Sequence, residues 1–180
     1  MMGYRHGLRW AALLIFCLPA WLQAAEVQVI QGHKDLFRHG QVYIGGQPSI
    51  ETLEWLKSQG VKRIINLRTA DEMREHAETG YDESAWADRL GLEYAAVPVN
   101  GLEGYTRENL ERFMMLMKPG GQVLVHCATA RRANDFYMAW LIESGRATVE
   151  QAIAIGRRIR FLVPLENLLG HPLLITGGSQ

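Results

Sequence analysis

Segments rich in apolar residues alternate along the chain with segments in which apolar residues recur at helical spacing. Short runs of four to eight residues that are rich in apolar side chains predict strands at 41–44, 61–67, 92–99 and 122–126. The segments between them predict helices, because residues that commonly cap a helix precede the apolar positions. These helices begin after the caps Ser49, Thr106 and Thr148, and two more cover 82–90 and 136–142.

Two segments fit no single pattern. Residues 26–40 are short and mixed, and we expect a leading stretch followed by a first edge strand. Residues 69–79 are strongly charged, which is compatible with a short helix or with a loop.

Strands and helices alternate from residue 41 to residue 160. This order favours a mainly parallel sheet with helices on both faces. We therefore predict a single three-layer α/β domain with its core at about 42–160. In such sheets, ligands bind at the carboxyl ends of the strands.

The N-terminus has the features of an export signal. Arg5 and Arg9 precede an uncharged apolar run at 10–22, which at 13 residues has the length of a signal core. A spanning helix needs about 20 apolar residues, so a cleaved signal is the better interpretation. We predict cleavage after Ala24 or Ala25, a single mature domain at 25–180, and a periplasmic location without a stable membrane span.

The composition excludes several classes of partner. Basic and acidic residues number 19 each, so no charge excess points to nucleic acid or to an anionic membrane surface. A 48% hydrophobic content in 180 residues is that of one ordinary globular domain. No spacing of His, Asp and Glu resembles a metal site, and we expect neither a metal nor another cofactor.

Cys127 is the only thiol that remains after signal removal, and it directly follows the predicted strand 122–126. A turn from a buried strand into a helix gathers backbone N–H groups at a positive helix end, which suits an anion. The same field favours the thiolate form of a cysteine. Arg132 can hold two phosphate oxygens with its planar guanidinium. The pair predicts covalent phosphoryl transfer with Cys127 as nucleophile.

The other loop residues have more open roles. The phosphate cradle is predicted from 128–132, namely Ala128, Thr129, Ala130, Arg131 and Arg132. The side chain of Arg131 is better explained as a surface charge at the start of a helix. His126 either ends the strand or tunes the thiolate.

Residues 123–127 followed by Arg132 resemble the signature of the protein tyrosine and dual-specificity phosphatase superfamily. The closer likeness is to small bacterial members with a shortened loop, including the beta-lactamase-hydrolase-like phosphatases. It spans roughly residues 42–155 and implies a phosphatase-like fold, hydrolysis of phosphate monoesters and a phosphorylated protein or small molecule as substrate. Similar stretches also occur at 43–48, 64–68 and 97–99.

The chain departs from the superfamily in its loop. Four residues separate Cys127 from Arg132, where the superfamily usually has five. Ala130 takes the place of the loop glycine, so a positive φ there would be strained. Ala133 takes the place of the hydroxyl residue that helps to expel the thiolate.

The general acid is the second departure. The strand at 97–99 usually leads to an Asp, whereas this chain has Asn100, with Glu103 close by. An amide cannot donate a proton at neutral pH, and loss of a general acid typically costs about 10²–10⁴ in rate. Asn100 therefore occupies the position of the general acid but cannot donate a proton. Glu103 is the first candidate for the acid, and Asp135 is the next candidate.

Three functions remain compatible with these residues. The first is a phosphatase that works through a phospho-Cys127 intermediate. The second is a catalytically weak module that binds phosphorylated ligands. The third is a sulfurtransferase, since rhodanese-like domains also place four residues between the loop Cys and a later Arg. The segments 45–48 and 97–99 resemble the phosphatase group, which ranks the third function last.

Overall fold

The computed structural model describes residues 26–117, 120–160 and 165–173. Within these residues the chain forms one sheet of six strands and seven helices. The strands are β1 (Gln28–Val29), β2 (Leu36–His39), β3 (Val42–Gly45), β4 (Val61–Asn66), β5 (Glu93–Ala96) and β6 (Gln122–His126). The helices are α1 (Ile50–Ser58), α2 (Ala70–Ala77), α3 (Glu83–Arg89), α4 (Arg107–Leu116), α5 (Arg131–Glu143), α6 (Val149–Arg157) and α7 (Glu166–Leu169).

The sheet is mixed, with the strand order β1-β2-β3-β6-β4-β5. Strands β3, β6, β4 and β5 run parallel, while β1 and β2 join β3 as antiparallel neighbours. The predicted α/β fold with a mainly parallel sheet is thus confirmed. The edge strand predicted in 26–40 is β1, and the same segment also forms β2, which the sequence did not indicate.

The helices begin where the capping residues indicate. The hydroxyl of Ser49 accepts a hydrogen bond from the N–H of Thr52, and Thr148 forms a capping box with Gln151. The charged segment 69–79 is a helix, α2, and not a loop. Its N-terminus is closed by a capping box between Thr69 and Glu72, which satisfies backbone N–H groups that the first turn leaves unpaired.

Strand β5 is shorter than the predicted run at 92–99. Regular pairing ends at Ala96, and Pro98 has no N–H to continue the ladder. The chain still follows β4 for three more residues, since the N–H groups of Val97 and Val99 donate to the carbonyls of Asn66 and Leu67. The segment up to Val99 is thereby held beside the end of β4.

Apolar side chains cover both faces of the sheet, as predicted. Alternate residues of the central strands enter two separate core clusters: Ile65 and Val125 lie on one side, Ile64 and Leu124 on the other. Helix α5 covers the first side and is buried along most of its length, as its apolar sequence predicts. The central position of β6 places its carboxyl end deep in the fold.

The predicted signal segment, 1–24, lies outside the described residues. Among the helices that the structure does describe, none is long and apolar enough to cross a membrane.

Candidate active site

The site is built on the turn from β6 into α5. Cys127 follows the last residue of β6 and is 1% exposed. Its own N–H donates to the carbonyl of Gly45 (3.2 Å), and the carbonyl of Ala128 accepts from the N–H of Gln47 (3.2 Å). The N–H groups of Thr129 and Arg131 find no acceptor in the described ranges. Since these groups lie beside the positive end of α5, the loop can receive an anion.

Two residues set the backbone path of the loop. Ala130 has φ of 67° and is fully buried, so the positive φ expected at the replaced glycine is present. Such a conformation costs an alanine about 1 kcal/mol. Gly46 lies against the other side of the loop, where an added Cβ would stand 3.1 Å from the carbonyl oxygen of Ala128 and 3.2 Å from the Cβ of Asp35. The short loop is therefore packed directly on β3.

Arg132 is held by a carboxylate that the sequence did not indicate. Its Nη1 and Nη2 donate to the two carboxylate oxygens of Glu72, at 2.8 and 2.7 Å. Nη1 also donates to the carbonyl of Val99 at 2.7 Å. These bonds use three of the five N–H donors of the guanidinium. The remaining two, on Nε and Nη2, share one edge and suit a bidentate contact with a phosphate.

The free edge of Arg132 is close to the thiol. Hydrogen bonds to Glu72 raise the pKa of Arg132, and the neighbouring Cys127 raises it further through charge attraction and hydrogen bonding. The predicted pair of Cys127 and Arg132 is thus brought together at one point, with the guanidinium fixed in orientation and permanently charged.

Glu72 is ionised at any physiological pH. Burial opposes its charge, but the hydrogen bonds from Arg132 and from the N–H of Thr69 lower its pKa to about 2. The role of Glu72 could not be predicted from the sequence, because the charged segment 69–79 has no apolar pattern that would place it in the fold. The signal was nevertheless present, since Thr69 and Glu72 have the spacing of a capping box.

We expect the loss of this carboxylate to destabilise the protein in a pH-dependent way. Because the folded pKa of Glu72 is depressed, its contribution is complete above the unfolded value and disappears as the pH falls from about 4.5 to about 2. Glu72→Gln should lower the free energy of unfolding by about 2 kcal/mol at pH 7 and by less at pH 3, as measured by urea denaturation.

The control is Glu78→Gln, which changes an exposed carboxylate at the end of the same helix. Little change is expected at either pH. A loss in Glu72→Gln that is equal at pH 7 and pH 3 would contradict the assigned ion pair.

His126 belongs to a buried network behind the loop. Its Nε2 lies 2.8 Å from the Oε1 of Glu83, and both side chains are fully buried. Burial opposes the charge of Glu83, yet His126, Gln47 and Arg68 hold the pKa of Glu83 below its usual value. The other oxygen of Glu83 accepts from Gln47 at 2.5 Å, and Gln47 accepts from Arg68 at 2.5 Å. Of its two expected roles, His126 therefore fits the structural one, at the end of the strand.

A cavity of about 300 Å³ opens over Cys127 and Arg132. This is the lower end of the usual range for ligand sites. Asn100 and Glu103, the two candidates at the acid position, are exposed and do not line it. The rest of its lining consists of Gly101, Leu102, Tyr105, Thr129, Arg131 and Asp135.

Asp135 is the carboxylic acid of this cavity. It lies on α5 three residues after Arg132, is fully buried, and accepts a hydrogen bond at Oδ2 from the hydroxyl of Tyr105 (2.9 Å). Burial raises the pKa of Asp135 to about 7, against the opposing effects of Tyr105 and of the charge of Arg131. Sequence analysis ranked Asp135 behind Asn100 and Glu103, because its position on a helix gave no sign that it reaches the site.

A second cavity, of about 370 Å³, lies between α2 and α3. Arg68, Glu83 and Tyr94 line it, and it shares the charged network behind the loop. Because it contains no thiol, the site that has the chemistry of a nucleophile is the smaller cavity over Cys127.

The comparisons with known proteins agree with this geometry. Residues 16–158 match the family described as DSP-PTPase phosphatase fused to NAD+ kinase. The beta-lactamase hydrolase-like protein of Xylella fastidiosa is 35% identical over 115 residues, which are 63% of this chain and 26% of that protein. The matched stretch thus spans about a quarter of the length of that curated relative.

Solved structures give the same assignment of fold. A protein from Shewanella putrefaciens described as a DUF442 phosphatase has 26% identity and a TM-score of 0.57, with 69% of this chain and 78% of that chain covered. A cysteine-to-serine variant of P. aeruginosa TpbA, solved with phosphotyrosine, has 15% identity and a TM-score of 0.60, with 76% and 80% covered. The chain therefore belongs to the DSP-PTPase family of phosphatases, within the protein tyrosine and dual-specificity phosphatase superfamily.

Proposed function

We propose that the protein is a cysteine-dependent phosphatase that hydrolyses phosphate monoesters through a phospho-Cys127 intermediate. The observation that carries the proposal is Arg132, which Glu72 holds so that two unused N–H donors remain beside the buried thiol. A module that only binds phosphorylated ligands does not require the thiol.

The residues support a two-step displacement. The thiolate of Cys127 attacks phosphorus, the bond from phosphorus to the ester oxygen breaks, and the leaving alcohol takes up a proton. Water then attacks the phosphocysteine, the bond between phosphorus and sulfur breaks, and phosphate and the thiolate are released. Arg132 and the loop N–H groups stabilise the charge on the phosphoryl oxygens in both steps.

An apolar side chain at the entrance of the cavity indicates the substrate class. Leu102 lies at its lining and is 64% exposed, so it offers an apolar surface next to the phosphate position. Such a surface suits an aromatic ester, which makes phosphotyrosine or a small aryl phosphate the proposed substrate. The phosphotyrosine bound by the TpbA variant is in line with this class, although that likeness concerns the fold alone.

We also propose that the protein is exported to the periplasm after cleavage of residues 1–24, on the strength of the apolar run at 10–22. N-terminal sequencing of the protein from a periplasmic extract tests this. An intact Met1 on the periplasmic protein, or its absence from that fraction, contradicts the proposal.

Two turnover assays, one with a phosphate ester and one with the substrates of a sulfurtransferase, test the function. We expect hydrolysis of para-nitrophenyl phosphate and no formation of thiocyanate from thiosulfate and cyanide. Thiocyanate without phosphate release would identify a sulfurtransferase. Phosphate binding without turnover of either substrate would identify the module that only binds phosphorylated ligands.

A further inference from the structure

We propose that Asp135 is the general acid of this phosphatase, acting from helix α5 in place of the missing acid at Asn100. The inference rests on the proposed phospho-Cys127 mechanism and adds to it the group that protonates the leaving oxygen. It is carried by the placement of Asp135 in the cavity, by its burial and by its hydrogen bonds.

The placement of Asp135 is set by the helix. It stands three residues after Arg132, so both side chains lie on the same side of α5. Both line the cavity that contains Cys127. A donor on a buried helix is fixed relative to the thiol, whereas Asn100 and Glu103 lie on an exposed segment that does not line the cavity.

The two carboxyl oxygens of Asp135 differ in their contacts. Oδ2 accepts the hydrogen bond from Tyr105 at 2.9 Å. Oδ1 is buried and has no hydrogen-bond partner among the described residues. A buried oxygen without a partner is costly when charged, and it is satisfied when it carries a proton that it can donate. The Tyr105 bond therefore orients the carboxyl group and leaves Oδ1 for the substrate.

The protonation state of Asp135 suits an acid at neutral pH. Burial brings its pKa to about 7, so the protonated form is well populated near pH 7. The groups that act on it are Tyr105, from the segment before α4, and Arg131, from its own helix. Cys127 and Arg132 face the same cavity.

Asp135 donates a proton in the first step of the reaction and takes up a proton in the second. As the bond between the sulfur of Cys127 and phosphorus forms, the protonated Oδ1 gives its proton to the ester oxygen and the alcohol leaves. The carboxylate of Asp135 then takes a proton from the attacking water while the bond between phosphorus and sulfur breaks. Phosphate is released, and the thiolate and the protonated carboxyl group are restored.

The test compares two esters in Asp135→Asn, which keeps the shape of the side chain but cannot donate a proton. Loss of the acid should slow hydrolysis of an alkyl phosphate by about 10²–10⁴, because its alkoxide leaves poorly without a proton. Release of para-nitrophenolate in the first turnover, which precedes hydrolysis of the phosphocysteine, should slow by less than about tenfold, because this leaving group is stable as an anion; the alkyl alcohol is followed in the same first turnover. The ratio of the two losses is the diagnostic quantity, since a purely structural defect slows both alike.

The pH profile supplies a second readout. The alkyl ester should show a falling limb near pH 7 in the parent, and this limb should vanish in Asp135→Asn. Tyr105→Phe removes a hydrogen bond that lowers the pKa of Asp135 and orients its carboxyl group, so the limb should move to higher pH and the alkyl activity below the limb should fall. A limb that stays in place in both variants would overturn the assignment.

Controls separate this inference from the proposed function. Asp88→Asn changes an exposed carboxylate on α3 and should leave both esters unaffected. Binding of vanadate to Asp135→Asn, at parental affinity, shows that the variant is folded. Equal losses on both esters, or a selective alkyl loss in Glu103→Gln instead, would overturn the inference alone. A parent without phosphatase turnover, or with turnover that survives Cys127→Ser, would overturn the proposed function and this inference with it.

Discussion

Cys127→Ser is expected to abolish turnover while binding of phosphate persists. A serine hydroxyl at this position is a poor nucleophile, because it is far less acidic than a thiol and the neighbouring imidazole of His126 is engaged by Glu83. Loss of a covalent nucleophile costs far more than loss of one hydrogen bond, so we expect a decrease in kcat of at least about 10³-fold.

The loop itself should survive this change. Cys127 is buried, and serine is smaller, so the backbone N–H groups and Arg132 keep their positions. Isothermal titration with phosphate, which the loop holds without a bond to sulfur, should therefore give an affinity within about threefold of the parent. Hydrolysis at the parental rate in the serine variant would remove Cys127 from the mechanism.

Arg132→Lys is expected to damage the protein far more than Arg131→Lys. The guanidinium of Arg132 donates to both oxygens of Glu72 and to the carbonyl of Val99, and still has two N–H donors for a phosphate. A lysine ammonium cannot make these contacts at once. We expect kcat/KM to fall by about 10²–10³, which is the effect of removing a donor that stabilises transition-state charge.

Arg131→Lys is the matched comparison, one residue earlier. Arg131 is exposed at the cavity edge, and its backbone N–H, which lysine retains, is the part that faces an anion. The loss in kcat/KM should stay below about tenfold. Equal losses in the two variants would contradict the assignment of phosphate binding to the side chain of Arg132 alone.

Much of the fold could be predicted because its determinants are local. The strand β6 reads as one short apolar run, and the caps Ser49 and Thr148 mark where helices begin. Both signals depend on neighbouring residues, so they are visible in a single sequence. Strand β2 was not predicted, because its pairing depends on its neighbours β1 and β3 and not on any strong pattern of its own.

The part of the site that could be predicted also depends on local sequence. Cys127 and Arg132 are close in sequence and share one loop, so their spacing carries the information. Glu72 and Asp135 meet them only through the fold: Glu72 is 60 residues from Arg132, and Tyr105 is 30 residues from Asp135. A charged residue in a polar segment, or on a helix without a known partner, gives no sign of such a long-range contact.

Helix α2 shows a consequence of the way Arg132 is held. Among the helices of at least eight residues in the described ranges, α2 alone has no buried residue, and Glu72 ties it to the rest of the domain. Opening of α2 exposes little apolar surface, so it should cost less free energy than unfolding of the whole domain. Each opening also releases Arg132 from the orientation that binds phosphate.

Anion binding and the closure of α2 are therefore thermodynamically linked. An anion that binds only the closed form disfavours opening in proportion to its occupancy, and at 100 times its dissociation constant the shift is about 2.7 kcal/mol. Saturating phosphate should slow amide exchange in α2 by up to about 100-fold and leave α6, which packs against α5, unchanged. Amide exchange in α2, a helix that takes no part in the chemistry, would thus report whether an anion occupies the loop.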